Sequence, residues 1–339
     1  MRQLVVLDKA TDATGVARVE GLKEDWVRHQ LEIGGSAANV DTGFPVLLNS
    51  GEDKFAGPGL NFLGQVSVLA TRNTVRFVRD KVQFRASLIQ SLVMSFILGL
   101  IYLRLDINQR GIQNVAGALF FLVVNHVFSV ANPSFATVPL ELPLIIREYQ
   151  AGLYHLISWY ISKNVSELPM QILLPIVFFT PAYLLIGIGH GFTTYLYMQL
   201  IMILVNSCSV ALGYMVSCLV RRADIAPLVG IVFVLPFMLF GGLFINSDDS
   251  PVYFVWIQYV SPIKYGFEAL MKLYWSQVDV IPCDAAVKHC IARTGAEVLR
   301  NYSMTSRSAF SDAMIMITIS VGFRVVGFFA LWLNVRKTR

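Results

Sequence analysis

YLYMQLIMILVNSCSVALGYMVSCL, residues 195–219, runs for 25 residues without an Asp, Glu, Lys, Arg or His. As a helix it extends about 37 Å, more than the roughly 30 Å of a bilayer's hydrocarbon core. Five other stretches read the same way: 84–105, 115–136, 165–188, 226–245 and 313–335. The fold class that follows is an all-α polytopic membrane protein with six transmembrane helices. The third span carries Pro169, Pro175 and Pro181, each of which removes a helical hydrogen bond, so kinks are expected there. Composition agrees: 55% of the 339 residues are hydrophobic and 14% are charged, whereas a soluble domain carries about 25% charged residues.

Orientation is read from Lys and Arg in the short connections. Arg72, Arg76, Arg79, Lys81 and Arg85 precede the first span. Arg147 lies between the second and third spans, Arg221 and Arg222 between the fourth and fifth, and Arg336, Lys337 and Arg339 follow the sixth. Six spans put all of these on one side, so both termini are expected in the cytosol. Arg104 and Arg110 lie at the other side and count against this assignment. The outer side then holds two short loops and one long one, 246–310. The net charge of +5 is spread beside the spans and forms no dense block, so nucleic acid is not an expected partner. The start, MRQLVVLDKATDATGV, has too short an apolar stretch for a signal peptide.

Residues 1–60 are polar, Gly-rich and linker-like. In the segment 61–83 that leads into the first span, Val68, Val75, Val78 and Val82 gather near one helical face and Arg72, Arg76 and Arg79 on another. A basic amphipathic helix beside a span reads as interfacial; the alternative is an ordinary solvated helix. The outer loop contains VYFVWIQYV and YGFEALMKLYW, too short and interrupted to span, which predicts helices that dip back toward the bilayer or else a small outer domain.

Cys208 and Cys218, inside the fourth span, read as small packing residues. Cys283 and Cys290 lie in the outer loop, where disulfides persist, and are expected to pair with each other; two free thiols or a bond to another chain are the alternatives. Of the sequons at Asn164 and Asn301, only Asn301 falls on the outer side, making it the glycosylation candidate. No phosphate loop, nucleophile elbow or zinc-protease motif occurs. The five histidines lack metal-ligand spacing, so no metal site and no catalytic residue are assigned. Lys163 and Glu167, four apart, are placed to pair, and Arg324 stands alone in the sixth span. No chain of Asp, Glu and His crosses the bilayer, so the energy for any transport is expected from elsewhere.

RASLIQSLVMSFILGLIY (85–102), GALFFLVVNHVFS (117–129), ELPLIIREYQAGLY (141–154), SELPMQILLPIVF (166–178), MLFGGLFINSDDSPVYFVWIQYVSPIKYGFEAL (238–270) and GFRVVGFFALWL (322–333) follow one another in a familiar order. From about Gly64 to the end the chain resembles the membrane half of G-subfamily ABC transporters, and within them the White eye-pigment-precursor branch. The resemblance implies a six-helix exporter membrane domain with an amphipathic connecting helix at 61–83, re-entrant helices and an internal disulfide in the last outer loop. It implies dimerisation with a second half-transporter, in a plasma or vesicle membrane. On the matching motifs, Asn125 and Phe128 would line the substrate cavity, and Leu243 and Phe244 would form the plug that closes it. Arg147, Glu148 and Tyr149 would receive force from a nucleotide-binding domain. ATP and Mg would bind on that domain, which this chain is not expected to encode. The implied function is the permease half of an ATP-dependent exporter of lipids, sterols or other flat hydrophobic metabolites. A truncated or non-transporting regulatory partner of a full half-transporter is the alternative.

Overall fold

The charge-free stretch that opens the sequence reading is the hub of the structure. A computed structural model describes residues 60–188, 191–245, 252–283, 290–305 and 307–336. The linker-like segment 1–60 therefore lies almost wholly outside the described residues. In chain order the helices are α1 (Phe62–Arg79), α2 (Lys81–Ile101), α3 (Gln109–Phe135), α4 (Thr137–Gln150), α5 (Leu156–Ile186), α6 (Phe192–Leu219), α7 (Ala226–Leu239), α8 (Val255–Val260), α9 (Pro262–Trp275), α10 (Gly295–Asn301) and α11 (Ala309–Arg336). There are no strands among the described residues.

Helix α6 packs against α3, α4, α5, α7, α9 and α11. Small residues permit this. A Cβ on Gly213 would come within 2.4 Å of the Ser134 Cβ on α3, and one on Gly327 of α11 within 3.2 Å of the Met215 Cα. In lipid there is little hydrophobic drive between helices, so such close backbone approach supplies the packing energy. Around α6 a single core takes in Leu119 and Val123 of α3, Phe178 and Phe179 of α5, Met202 and Val205 of α6, and Phe267 and Trp275 of α9.

Five described stretches are long and apolar enough to cross a membrane: 84–101, 109–150 (α3 with α4), 156–186, 192–219 and 309–336. The fifth expected span is helical only over Ala226–Leu239, 14 residues, or about 21 Å of rise. It carries Pro236, and the chain beyond it turns at Gly242 with φ of 96°, a conformation that favours glycine. The second expected span begins earlier, at Gln109, because Asn108 caps the helix by accepting from the Gly111 N–H at 2.7 Å. It gives way to α4 at Ala136. There the Ser217 hydroxyl of α6 accepts from the Val138 N–H at 2.9 Å. The third begins at Leu156.

Helix α5 runs through all three of its prolines. Pro175 has no N–H to give to the Gln171 carbonyl one turn back. The Asn206 side-chain amide of α6 donates to that carbonyl instead, at 2.6 Å. A carbonyl left bare in hydrocarbon costs several kcal/mol, and a neighbouring helix here satisfies it.

Within the long loop 246–310, α9 is not part of a separate domain. Helix α9 packs against α3, α6 and α11, with Tyr265, Phe267, Leu270 and Trp275 buried in the common core. At its end Lys272 donates to Glu268 at 2.7 Å and to Asp312 of α11 at 2.8 Å, all three nearly inaccessible. Removing one member of such a network leaves an uncompensated charge, at a cost of about 3–5 kcal/mol.

Replacing Asn206 by Leu is expected to lower thermal stability in detergent by about 1 kcal/mol. In a Pro175→Ala background the Gln171 carbonyl regains a helical partner and the same replacement costs less. Equal costs in both backgrounds, measured as a double-mutant cycle, would show that the amide does not substitute for the missing N–H.

Candidate functional site

The charged connections gather at one end of the bundle. There Arg72 of α1 grips Glu148 of α4 with two bonds, 2.8 and 3.1 Å, and Tyr154 donates to the same carboxylate at 2.9 Å. Burial, and then the hydrogen bond to Glu148, push the Tyr154 phenol above its usual range, so it stays a donor. Arg76 reaches Glu141 at 3.4 Å, and the Gln65 side chain accepts from the His155 N–H at 3.1 Å. Glu141 also takes Lys163 at 3.0 Å, closer than the 3.8 Å from Lys163 to Glu167. The expected Lys163–Glu167 pair is thus one link in a longer chain, which ends where Tyr214 of α6 donates to Glu167. Arg221 bonds Asn334 at 3.0 Å, which brings the end of α11 to this same end. Amphipathic α1 is tied into this cluster through Gln65 and Arg72 while Leu63, Val68 and Val75 stay exposed.

Of the three residues expected to meet a nucleotide-binding domain, Glu148 is engaged as described. Arg147 is exposed, and Tyr149 packs half-buried against the local apolar cluster. Sequence reading had no means of finding Arg72 as the partner, because it lies 76 positions away.

Asn125 and Phe128 lie on one stripe of α3 with exposed Phe121 and Asn132, at spacings of three and four. Both are half-buried, and the Asn125 amide donates to no acceptor among the described residues. Helix α7 packs beside α3 and leaves Leu228, Val232 and Leu239 exposed. The two helices thus leave apolar side chains uncovered by the rest of the described chain, while the Asn125 amide nitrogen lies buried beneath the surface of α3. Neighbouring His126 points elsewhere. It is 2% exposed and stacks on Phe178 of α5 at 5.3 Å, as expected of a packed histidine.

Past α7, Leu243 packs half-buried against the core while Phe244 is 61% exposed. The Phe244 ring meets Phe120 edge-to-face at 5.5 Å, and Phe120 meets Phe267 of α9 the same way at 5.2 Å. Phe120 lies five positions before Asn125 on α3, about 7.5 Å toward the opposite end of the bundle. The aromatic contact therefore stands above the amide along the helix.

That opposite end holds a bond between Cys283 and Cys290. The Gln109 side chain, at the start of α3, ties their segment down. It accepts from the Ile291 N–H at 2.8 Å and donates to the Ala292 carbonyl at 2.8 Å. Asn301 lies at the end of α10, exposed, and its amide donates to the Ile291 carbonyl at 3.0 Å. Cys208 and Cys218 are buried and unbonded to each other, as their packing role predicts.

The ABC-2 type transporter family matches residues 64–275, well over half of the chain. The chain belongs to that family. Its ABC-2 membrane domain is similar to three curated proteins in particular. It is 29% identical to "ABC transporter ATP-binding protein/permease wht-1" of Caenorhabditis elegans, over 80% of this chain and 41% of that protein. It is 31% identical to "ABC transporter ATP-binding protein/permease wht-3" of the same organism, over 82% of this chain and 44% of the relative. It is 29% identical to "Protein white" of Drosophila melanogaster, over 80% and 40%. The chain spans about two-fifths of the length of these relatives. The likeness to White-type G-subfamily proteins, read from the sequence motifs, stands with these matches. This ABC-2 domain is an integral membrane structure.

Mass spectrometry of unreduced peptides is expected to find Cys283 linked to Cys290. Gln109→Leu, which removes both tethers, is expected to leave that bond intact but to speed proteolysis between residues 276 and 305. Unchanged proteolysis would show that the tethers hold nothing.

Proposed function

We propose that the chain is the permease half of an ATP-driven exporter of lipids, sterols or other flat hydrophobic metabolites, working as a dimer with a second half-transporter. The observation that carries this reading is the uncovered face of α3 and α7. Phe121, Leu228 and Val232 are exposed and Phe128 is half-buried beside them, and the Asn125 amide nitrogen beneath this face has no acceptor among the described residues, the one group there that lipid cannot satisfy. Placed against a second copy or a related chain, it encloses an apolar cavity with the half-buried Asn125 side chain at its wall, the chemistry that holds a flat hydrophobic molecule. Phe128 supplies a ring to stack on, and Asn125 one polar contact to orient the ligand. Leu243 and Phe244, on the Gln109 side of this stripe, are the plug.

In this reading ATP and Mg act on a nucleotide-binding domain outside the described residues, and the names of the two worm relatives join ATP binding to a permease. Arg147, Glu148 and Tyr149 receive its motion. The bidentate Arg72–Glu148 pair stiffens that surface, so displacement of α4 is transmitted to α1 and α5 rather than absorbed. The end rich in Arg faces the cytosol, and the end with the disulfide and Asn301 faces out.

Phe128→Ala and Asn125→Ala are each expected to reduce export of a hydrophobic substrate by about tenfold, equivalent to 1.4 kcal/mol, at unchanged surface level. Full activity in both discards the cavity. Asn301→Gln is expected to abolish a glycosidase-sensitive mobility shift. A glycan at Asn164 would invert the orientation.

A further inference from the structure

At the Arg-rich end of the bundle most carboxylates already hold a cation. Glu148 holds Arg72, Glu141 holds Arg76 and Lys163, Lys163 reaches on to Glu167, and Asp224 holds Arg222. The corner between α1 and α2 is different. Arg79, Lys81 and Arg85 are exposed there, and none makes a hydrogen bond or ion pair among the described residues. Asp80 lies between Arg79 and Lys81, so the corner carries three cations against one carboxylate, a net +2.

This corner is stiff. Asp80 closes α1 by donating its N–H to the Arg76 and Phe77 carbonyls at 3.1 and 3.2 Å, and its own carbonyl accepts from the Phe84 N–H of α2 at 3.2 Å. The Phe77 and Phe84 rings meet edge-to-face across the bend, 6.3 Å apart. The three cations are thus held together on one short bend. Apolar surface adjoins them on both helices. Arg79 sits one turn beyond exposed Val75 on α1. On α2, Arg85 heads a stripe of exposed Ile89, Leu92, Phe96 and Leu100, at spacings of three and four. Arg85 is the second residue of the stretch 84–101 that is long and apolar enough to cross a membrane. From Arg85 to Phe96 the helix rises roughly 16 Å, close to the depth of one leaflet's hydrocarbon.

We propose that this corner binds a phosphoinositide, with its phosphate groups held by Arg79, Lys81 and Arg85 and an acyl chain lying along the stripe from Ile89 to Phe96. Phosphatidylserine brings one net negative charge, which a single cation answers. Three unanswered cations on a stiff bend favour a head with several charges. Bound there, the lipid pins α1 to the leaflet, and Arg72 ties that same helix to Glu148 of α4. The choice of leaflet rests on the cytosolic orientation proposed above for this end. The test reads binding in micelles, so it stands or falls apart from transport and orientation.

The full chain in non-ionic detergent is offered equal amounts of a phosphatidylinositol bisphosphate, phosphatidylserine and phosphatidylcholine, and bound lipid is counted by native mass spectrometry. The bisphosphate is expected to be retained at least about tenfold over either of the others, since each Lys or Arg at a lipid surface contributes about fivefold. Lys81→Gln with Arg85→Gln is expected to abolish that preference at unchanged melting temperature. Arg222→Gln with Arg336→Gln removes the same charge from the same end and is expected to keep it. Free inositol trisphosphate, a head without tails, is expected to compete at least about tenfold less well than the lipid, because it forgoes the apolar stripe. Equal retention of the three lipids overturns the proposal. So does an equal loss of preference in both double variants, which marks attraction to the whole positive end. Competition by free trisphosphate as strong as by the lipid also overturns it, because the site then binds phosphate and not a lipid.

Discussion

Everything in this domain depends on how closely other helices approach α6. Six helices touch it, and none of those contacts is driven by water leaving apolar surface, because lipid is as apolar as a leucine side chain. What remains is van der Waals contact, which weakens within an ångström of extra separation. A Cβ at Gly213 would collide with the Ser134 side chain, and one at Gly327 would press on the Tyr160 hydroxyl and crowd the Met215 backbone. The same proximity makes the Asn206 amide available to the Gln171 carbonyl, so close packing and backbone satisfaction are one requirement rather than two.

Polar chemistry is distributed by depth along this scaffold. At the Arg-rich end the ion pairs are partly wet: Arg72 is 45% exposed, and such a pair is worth about 1 kcal/mol at most to stability. Its value is geometric, since a fork holding two oxygens fixes the angle between α1 and α4. At the disulfide end the Lys272 network is dry and joins α9 to the start of α11. Between them the interior is apolar except for single groups such as His126, Asn206 and Arg324.

How much of this could be read from the sequence follows from what sequence patterns encode. The long apolar helices were legible because length and charge depletion are local properties. Their ends were less so. Residues 156–164, LISWYISKN, mix polar and apolar types and hide the true start of α5, and QRGIQN conceals that of α3. Helix α7 was expected to run on to residue 245, but it ends at Leu239 with Phe240 as its cap, and Gly241 and Gly242 come next. The disulfide was legible from compartment and proximity. Of the ion pairs only Lys163 with Glu167 was read, although Lys272 with Glu268 has the same four-residue spacing; Lys272 with Asp312 and Arg72 with Glu148 lie 40 and 76 positions apart and carry no local signal. Among the expected site residues, Asn125 and Phe128 do share a stripe, as their spacing requires. That Phe120 touches both Phe244 and Phe267 needed coordinates, since no period connects the three.

In the proposed reading of Phe244 as a plug, its edge-to-face contact with Phe120 has a consequence for leakage. Such a contact is worth about 1 kcal/mol, so alone it would favour the seated ring over a displaced one only about fivefold. A barrier to small solutes needs a far rarer displaced state than that. If Phe244 is the seal of a transport path, one protomer leaves it ajar for a substantial fraction of the time. Tightness would then be a property of the assembled pair, with rings from both sides blocking each other's escape.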